Sequence, residues 1–218
     1  MSNPLKPTIK TEIIPGLIIL ITIISNFYFY ANFPDQIPIH WNFQGEIDNW
    51  GSKTFGAFFF PAIIFGMYLL FLILPYVDPK KLKYDQFRKT YHKFKGLLIL
   101  FMALIYFLTS FAGLGYNINI DVWIPIIIGF LFMFIGNYLS KIKPNWFLGI
   151  RTPWTLSSET VWQKTHQFGG KLFILAGAVM ILIPFTPFAL QGWILGATVA
   201  IVILGTVGYS LLIYLKEK

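Results

Sequence analysis

Long apolar runs alternate with short connections that carry almost every charge. Six runs are prominent, over residues 13–30, 55–77, 96–115, 123–139, 172–190 and 193–215, and none contains Asp, Glu, Lys, Arg or His. A helix rises about 1.5 Å per residue and a bilayer core is about 30 Å thick, so about 20 apolar residues suffice to span it. The pattern predicts an all-α integral membrane fold, a bundle of six transmembrane helices forming a single polytopic domain over residues 1–218. The first run is too long, and its end at Phe27, Tyr28, Phe29 and Tyr30 too bulky, for a cleaved signal peptide. The last two runs are expected to form a helical hairpin turning at Gln191 and Gly192, with Gly192, Gly196 and Ala200 as a close-packing stripe.

Composition supports this reading. Of 218 residues 56% are hydrophobic and 12% charged, half the roughly 25% charged content of soluble domains. A soluble enzyme and a disordered chain are both excluded by that balance. Without cysteine there is no disulfide framework, thiolate metal site or cysteine nucleophile.

The net charge of +8 is distributed unevenly. When connections are assigned alternately to the two sides of the membrane, Lys53 falls on one side and the other sixteen Lys and Arg residues on the opposite side. The positive-inside rule then places both termini in the cytoplasm. The basicity is a topology signal, so the bilayer is the expected partner and no direct nucleic-acid contact is expected.

The apolar runs lack the ionisable groups that ion-coupled transporters retain despite their insertion cost. Neither a His-Glu-x-x-His nor a Gly-x-Ser-x-Gly pattern occurs. His40 falls on the opposite side from His92 and His166, so the three histidines cannot meet in one subunit. No catalytic residue, metal site or cofactor is expected, and the chain does not read as an enzyme.

Three connections carry the candidate chemistry. In the extracellular loop, 33–53, Ile37, Ile39 and Trp41 alternate with Pro38 and His40 as in a short strand, and Gly45 and Gly51 supply turns, giving a compact hairpin. Asp35, His40, Trp41, Glu46 and Asp48 are its ligand-facing candidates, for a cation or a cationic peptide; the bland alternative is a rigid, solvated turn. In the cytoplasmic loop, 141–171, Pro153 drives Thr152 toward an extended conformation, and Thr155, Ser157 and Ser158 offer caps for a helix beginning near Glu159. Trp162 and His166 share a face of that helix. Arg151 suits a carboxylate or phosphate, or else pins the loop or anchors it to headgroups. In the third connection, 78–95, Tyr84, Phe87, Tyr91 and Phe94 recur at helical spacing among Arg88 and several lysines. That pattern predicts an amphipathic interfacial helix with its aromatics toward the inner leaflet, or a docking face for a cytosolic partner.

The signature positions Asn145, Gly149, Arg151, Thr152, Pro153, Trp154, Glu159 and Trp162, with Leu148, Ile150, Thr155 and Leu156 among them, resemble the SdpI family of bacterial immunity proteins. His166 follows on the same helix. The segment from Pro34 and Asp35 through Ser52 and Lys53 is similar to one found across a wider set of uncharacterised membrane proteins. The resemblance implies a multi-pass plasma-membrane protein that protects the cell from a secreted toxin peptide and signals by tethering a cytosolic helix-turn-helix autorepressor. Two other classes compete. A carrier or exporter of an apolar solute would move that solute, and a lipid-directed enzyme using Arg151 and His166 would need a nucleophile or metal that the sequence does not display.

Overall fold

The computed structural model describes residues 5–217. In chain order the elements are α1 (Ile9–Asn32), β1 (Gln36–Trp41), β2 (Ile47–Ser52), α2 (Lys53–Val77), a 3-10 turn (Lys81–Phe87) and α3 (Arg88–Gly113). They are followed by α4 (Ile120–Leu139), α5 (Pro153–Ser157), α6 (Glu159–Leu182), a second 3-10 turn (Ile183–Phe185) and α7 (Phe188–Lys216). Six of these helical segments have the length and apolar composition to cross a membrane. The chain divides into two compact units. One comprises residues 7–72 and 95–124, the other residues 5–6, 73–94 and 125–217.

In the first unit, Thr8 caps α1 by accepting from the Thr11 amide, and the Thr11 hydroxyl returns the bond to the Thr8 amide. Two orphan helix-end donors are satisfied in this way. The core centres on Phe29, whose ring stacks on Phe33 at 5.5 Å and meets the edges of Tyr106 at 5.6 Å and Phe111 at 5.5 Å. The strands pair antiparallel, with Ile37 opposite Gly51. Ile37 is buried, and its side chain occupies space that a β-carbon at Gly56 would claim. Gly45 takes the positive φ of 76° at the hairpin tip, as expected. Gly51, expected in a turn, lies instead within β2, where a side chain would press on Ile39.

The apolar runs are charge-free, yet the helices extend beyond them. Glu12, just before the first run, and Lys95, just before the third, form a bidentate ion pair with both oxygens 2.6 Å from Nζ. Lys95 is 1% exposed and also lies over the Tyr68 ring, 5.5 Å from its centroid.

In the second unit, α4 and α6 approach to backbone contact. A β-carbon on Gly129 would lie 2.6 Å from the Gly177 carbonyl oxygen, and one on Gly136 would lie 2.5 Å from that of Gly170. On each helix the glycines are seven residues apart, two turns, so the same face meets its partner twice. Close backbone approach through small residues is how helices pack in lipid, where no hydrophobic force joins them. Phe132 stacks on Phe173 at 5.2 Å beside this seam.

The expected glycine stripe on the last helix lies elsewhere. Nothing stands within 4 Å of a β-carbon built at Gly192 or Gly196, and Ala200 is exposed. The turn is also displaced. Gln191 and Gly192 lie inside α7, and the chain reverses at 183–187, where Pro184 enters a 3-10 turn and Pro187 caps α7. Neither proline has an amide hydrogen to continue a helix. The Thr186 hydroxyl closes the turn on the Ile183 carbonyl at 2.7 Å, and Gln191 Nε2 donates to the Thr186 carbonyl at 3.1 Å.

The connection 78–95 is not a separate in-plane helix. Its 3-10 turn runs directly into α3, and Tyr84, Phe87, Tyr91 and Phe94 are all buried in protein rather than laid on lipid. The rings of Tyr84 and Phe87 are 5.0 Å apart, those of Tyr84 and Tyr91 5.3 Å, and Phe94 meets Phe134 edge-on at 6.0 Å. Arg88 is exposed, 3.9 Å from Asp85.

Candidate functional site

The signature loop is built around a buried asparagine. Asn145, with no exposed surface, accepts the amides of Phe147 at 2.8 Å and Leu148 at 2.6 Å through Oδ1. Its Nδ2 donates to the carbonyls of Lys143 at 2.9 Å and Leu148 at 3.0 Å. One side chain thereby satisfies four backbone groups of a segment without regular structure, which would otherwise be costly to bury.

Gly149 follows with φ 108°, and a β-carbon there would overlap His166 Nε2 and crowd the Trp162 ring. The next amide, Ile150, donates to His166 Nε2 at 3.0 Å. Because Nε2 accepts, it carries no proton, and Nδ1 carries the hydrogen directed at the Trp162 carbonyl 2.8 Å away. His166 is thus held neutral, in one tautomer. Its ring stacks on Trp162 with centroids 4.1 Å apart, and the Trp162 indole donates to the Ile142 carbonyl at 2.9 Å. Both side chains are buried.

Thr152 is extended, as its position before Pro153 predicts, and caps α5 through a reciprocal pair with Thr155. Its hydroxyl also lies 3.1 Å from Ser210 Oγ on α7. Ser158 caps α6 by accepting the Val161 amide at 3.2 Å, which places Glu159 in the first turn as expected. Pro153 is exposed and Trp154 half-buried. The Arg151 guanidinium donates to the Trp146 carbonyl, pinning the loop across five residues while remaining exposed.

Asp78 is the residue that the sequence reading missed. It is 1% exposed and accepts from the Lys80 amide at 2.7 Å, the Tyr84 hydroxyl at 2.8 Å and the Trp146 amide at 2.9 Å. Lys83 adds a 2.6 Å ion pair with Glu159. Residues 78–84 and the signature loop are therefore joined at two points. The only sequence signal was an Asp at the end of an apolar run, followed by Pro79, a common turn composition.

The hairpin candidates are arranged differently, on the surface. His40 Nδ1 is 2.5 Å from Asp48 Oδ1, while Asp35, 94% exposed, is 3.4 Å from Lys53. Glu46 accepts from Asn42 Nδ2 at 3.0 Å, and Trp41 is half-buried opposite Ile47. The structure brings His40 and Asp48 together; Asp35 and Glu46 have separate partners.

Comparison with known proteins falls on these two regions. Residues 141–210 match the SdpI/YfhL protein family, and residues 17–65 match a domain of unknown function, DUF1648. The first match contains the Asn145, Gly149 and His166 arrangement and the second contains the hairpin. No solved structure matches the chain. The immunity protein SdpI of Bacillus subtilis (strain 168) is 30% identical over 178 residues, covering 81% of this chain and 82% of that protein. With six helices able to span a membrane and a similarity that extends over most of both proteins, the chain belongs to the SdpI family of multi-pass bacterial membrane proteins.

Proposed function

We propose that this protein is a plasma-membrane immunity protein and receptor, which protects its cell from a secreted toxin peptide and holds a cytosolic helix-turn-helix repressor at the inner face. The observation that carries the reading is the 30% identity to an immunity protein over most of both chains. The distribution of charge supports an orientation with both termini cytoplasmic, the hairpin outside and the signature loop inside. In that orientation the exposed Asp35, His40, Glu46 and Asp48 face the toxin. The inner face presents Arg151 and Glu159 on a loop whose buried members, Asn145, Thr152, Trp162 and His166, act as its frame. A single membrane domain then carries an outer recognition surface and an inner docking surface.

The test is survival and membrane potential of a sensitive bacterium challenged with an SdpC-type toxin peptide, with and without this protein. Protection at confirmed membrane expression is the expected result. Equal killing in both strains would overturn the reading. For the signalling half, a fluorescent fusion of a helix-turn-helix repressor encoded beside the gene should move to the membrane on toxin addition, and Arg151→Ala should reduce that movement at equal protein level.

A further inference from the structure

A cavity of about 300 Å³ lies beneath the hairpin in the first unit, between β1, α2 and the C-terminal half of α3. Its walls are mainly apolar, with Ile39, Phe55, Phe59 and Phe60 among them and Ile37 packed over Gly56 at its base. The Thr109 hydroxyl, also in the wall, is already taken by the Ile105 carbonyl at 2.9 Å. Phe55 and Phe59 are 45% and 41% exposed, so these two wall residues also reach the surface of the protein. His40 stands in the lining and carries Asp48 beside it.

Two properties of the hairpin specify an occupant. Within a chain of net charge +8, residues 35–53 hold three carboxylates, Asp35, Glu46 and Asp48, against one lysine. This local acidity attracts a cationic partner and repels an anionic one. The sheet has only two strands, so among the described residues each strand has an edge with no neighbouring strand, the arrangement to which an extended peptide adds. A volume of this size accepts a bulky apolar side chain.

We propose that this cavity is the docking site for a bulky apolar side chain of a cationic peptide, which lies extended along the hairpin with its charge toward Asp48. The inference rests on the immunity reading and assigns the toxin its site. Asp48 attracts the peptide, and the cavity fixes its register.

The experiment uses the full chain in lipid nanodiscs, with a labelled SdpC-type toxin peptide as probe. Thr109→Phe fills the cavity and should weaken binding about tenfold or more, with protection of cells lost in parallel. Asp48→Asn should weaken it about threefold at low salt and less at high salt. A photoreactive benzoylphenylalanine at position 59 should capture the peptide, which keeps the proposal testable if Thr109→Phe fails to fold. Folded Thr109→Phe that binds and protects like the wild type would overturn the cavity site while leaving immunity standing. Capture of lipid alone at position 59 would also overturn it, giving the cavity to an acyl chain. Failure of the wild type itself to protect or bind would overturn the immunity reading, and the cavity assignment with it.

Discussion

Gly149 and His166 fit against one another so closely that the glycine has no room for a β-carbon and the imidazole has only one place to stand. The same contact sets the direction of the Ile150 amide, which ends on Nε2 at 3.0 Å. A glycine in a surface loop and a histidine inside a helix thus form one structural unit.

Gly149→Ala combines a strained φ with a steric overlap and should cost about 1–3 kcal/mol. Gly115 provides the control, because it has φ 88° with nothing within 4 Å of a β-carbon. Gly115→Ala should therefore lose less. Thermal unfolding of both variants in detergent, followed by size exclusion, measures the difference; equal losses would refute the steric part.

His166→Phe keeps a ring against Trp162 but leaves the Ile150 amide without its acceptor. An unmet donor of this kind costs about 1–3 kcal/mol. The variant should unfold at lower temperature than wild type and be cut by protease within 145–151 sooner than elsewhere. Unchanged protection of that segment would show that the bond does not hold the loop.

Asp78→Ala removes the acceptor for three donors at once and should be the most damaging single change at this end of the protein, costing about 3 kcal/mol or more. Tyr84→Phe deletes only one of those bonds and should cost about 1 kcal/mol. The ordering is the prediction, read from the melting temperatures of the two variants. A Tyr84→Phe loss equal to that of Asp78→Ala would refute it.

Lys95→Met leaves the Glu12 carboxylate without its partner, and Glu12→Gln with Lys95→Met removes both charges. Breaking a largely buried pair is costlier than replacing it whole, so the double variant should recover much of the stability lost by the single one, in which Glu12 keeps only neutral donors such as the Thr11 hydroxyl at 2.9 Å. A double-mutant cycle on melting temperature checks this; additive losses would mean that the two residues do not act as a pair.

Gly136→Ala and Gly170→Ala should each destabilise the protein, because the added methyl meets a backbone carbonyl that cannot yield without moving a helix. Gly192→Ala and Gly196→Ala should be neutral or slightly stabilising, since alanine favours a helix by about 1 kcal/mol and nothing opposes the new carbon. The four melting temperatures separate the packed glycines from the unpacked ones.

These contrasts indicate what the sequence makes legible. The apolar runs are read directly because the length of a span and its lack of charge are properties of a single segment. The hairpin is legible for the same local reason, as are the extended Thr152 and the Ser158 cap. The two stripes of glycine cannot be ranked that way. Gly192, Gly196 and Ala200 form the tidier repeat, yet the contacts are made at Gly129, Gly136, Gly170 and Gly177, and only the partner helix decides between them. Tyr84, Phe87, Tyr91 and Phe94 have the right period for a helix face, but period does not say whether that face meets lipid or protein. The answer depends in part on Asp78, whose three donors come from residues up to 68 positions away. Four-residue spacing suffices to put Trp162 and His166 on one face, whereas their burial follows from a loop that folds back over them.

The glycine seam between α4 and α6 also limits how this part of the protein can move. Two contacts spaced by two helical turns fix both the sliding position and the rotation of one helix against the other, as two teeth lock a rack where one would leave it free. A shift by a single turn would part Gly129 from Gly177 and Gly136 from Gly170, losing both close approaches at once. Movement in this part of the protein is therefore expected to carry α4 and α6 together, with the signature loop attached to α6.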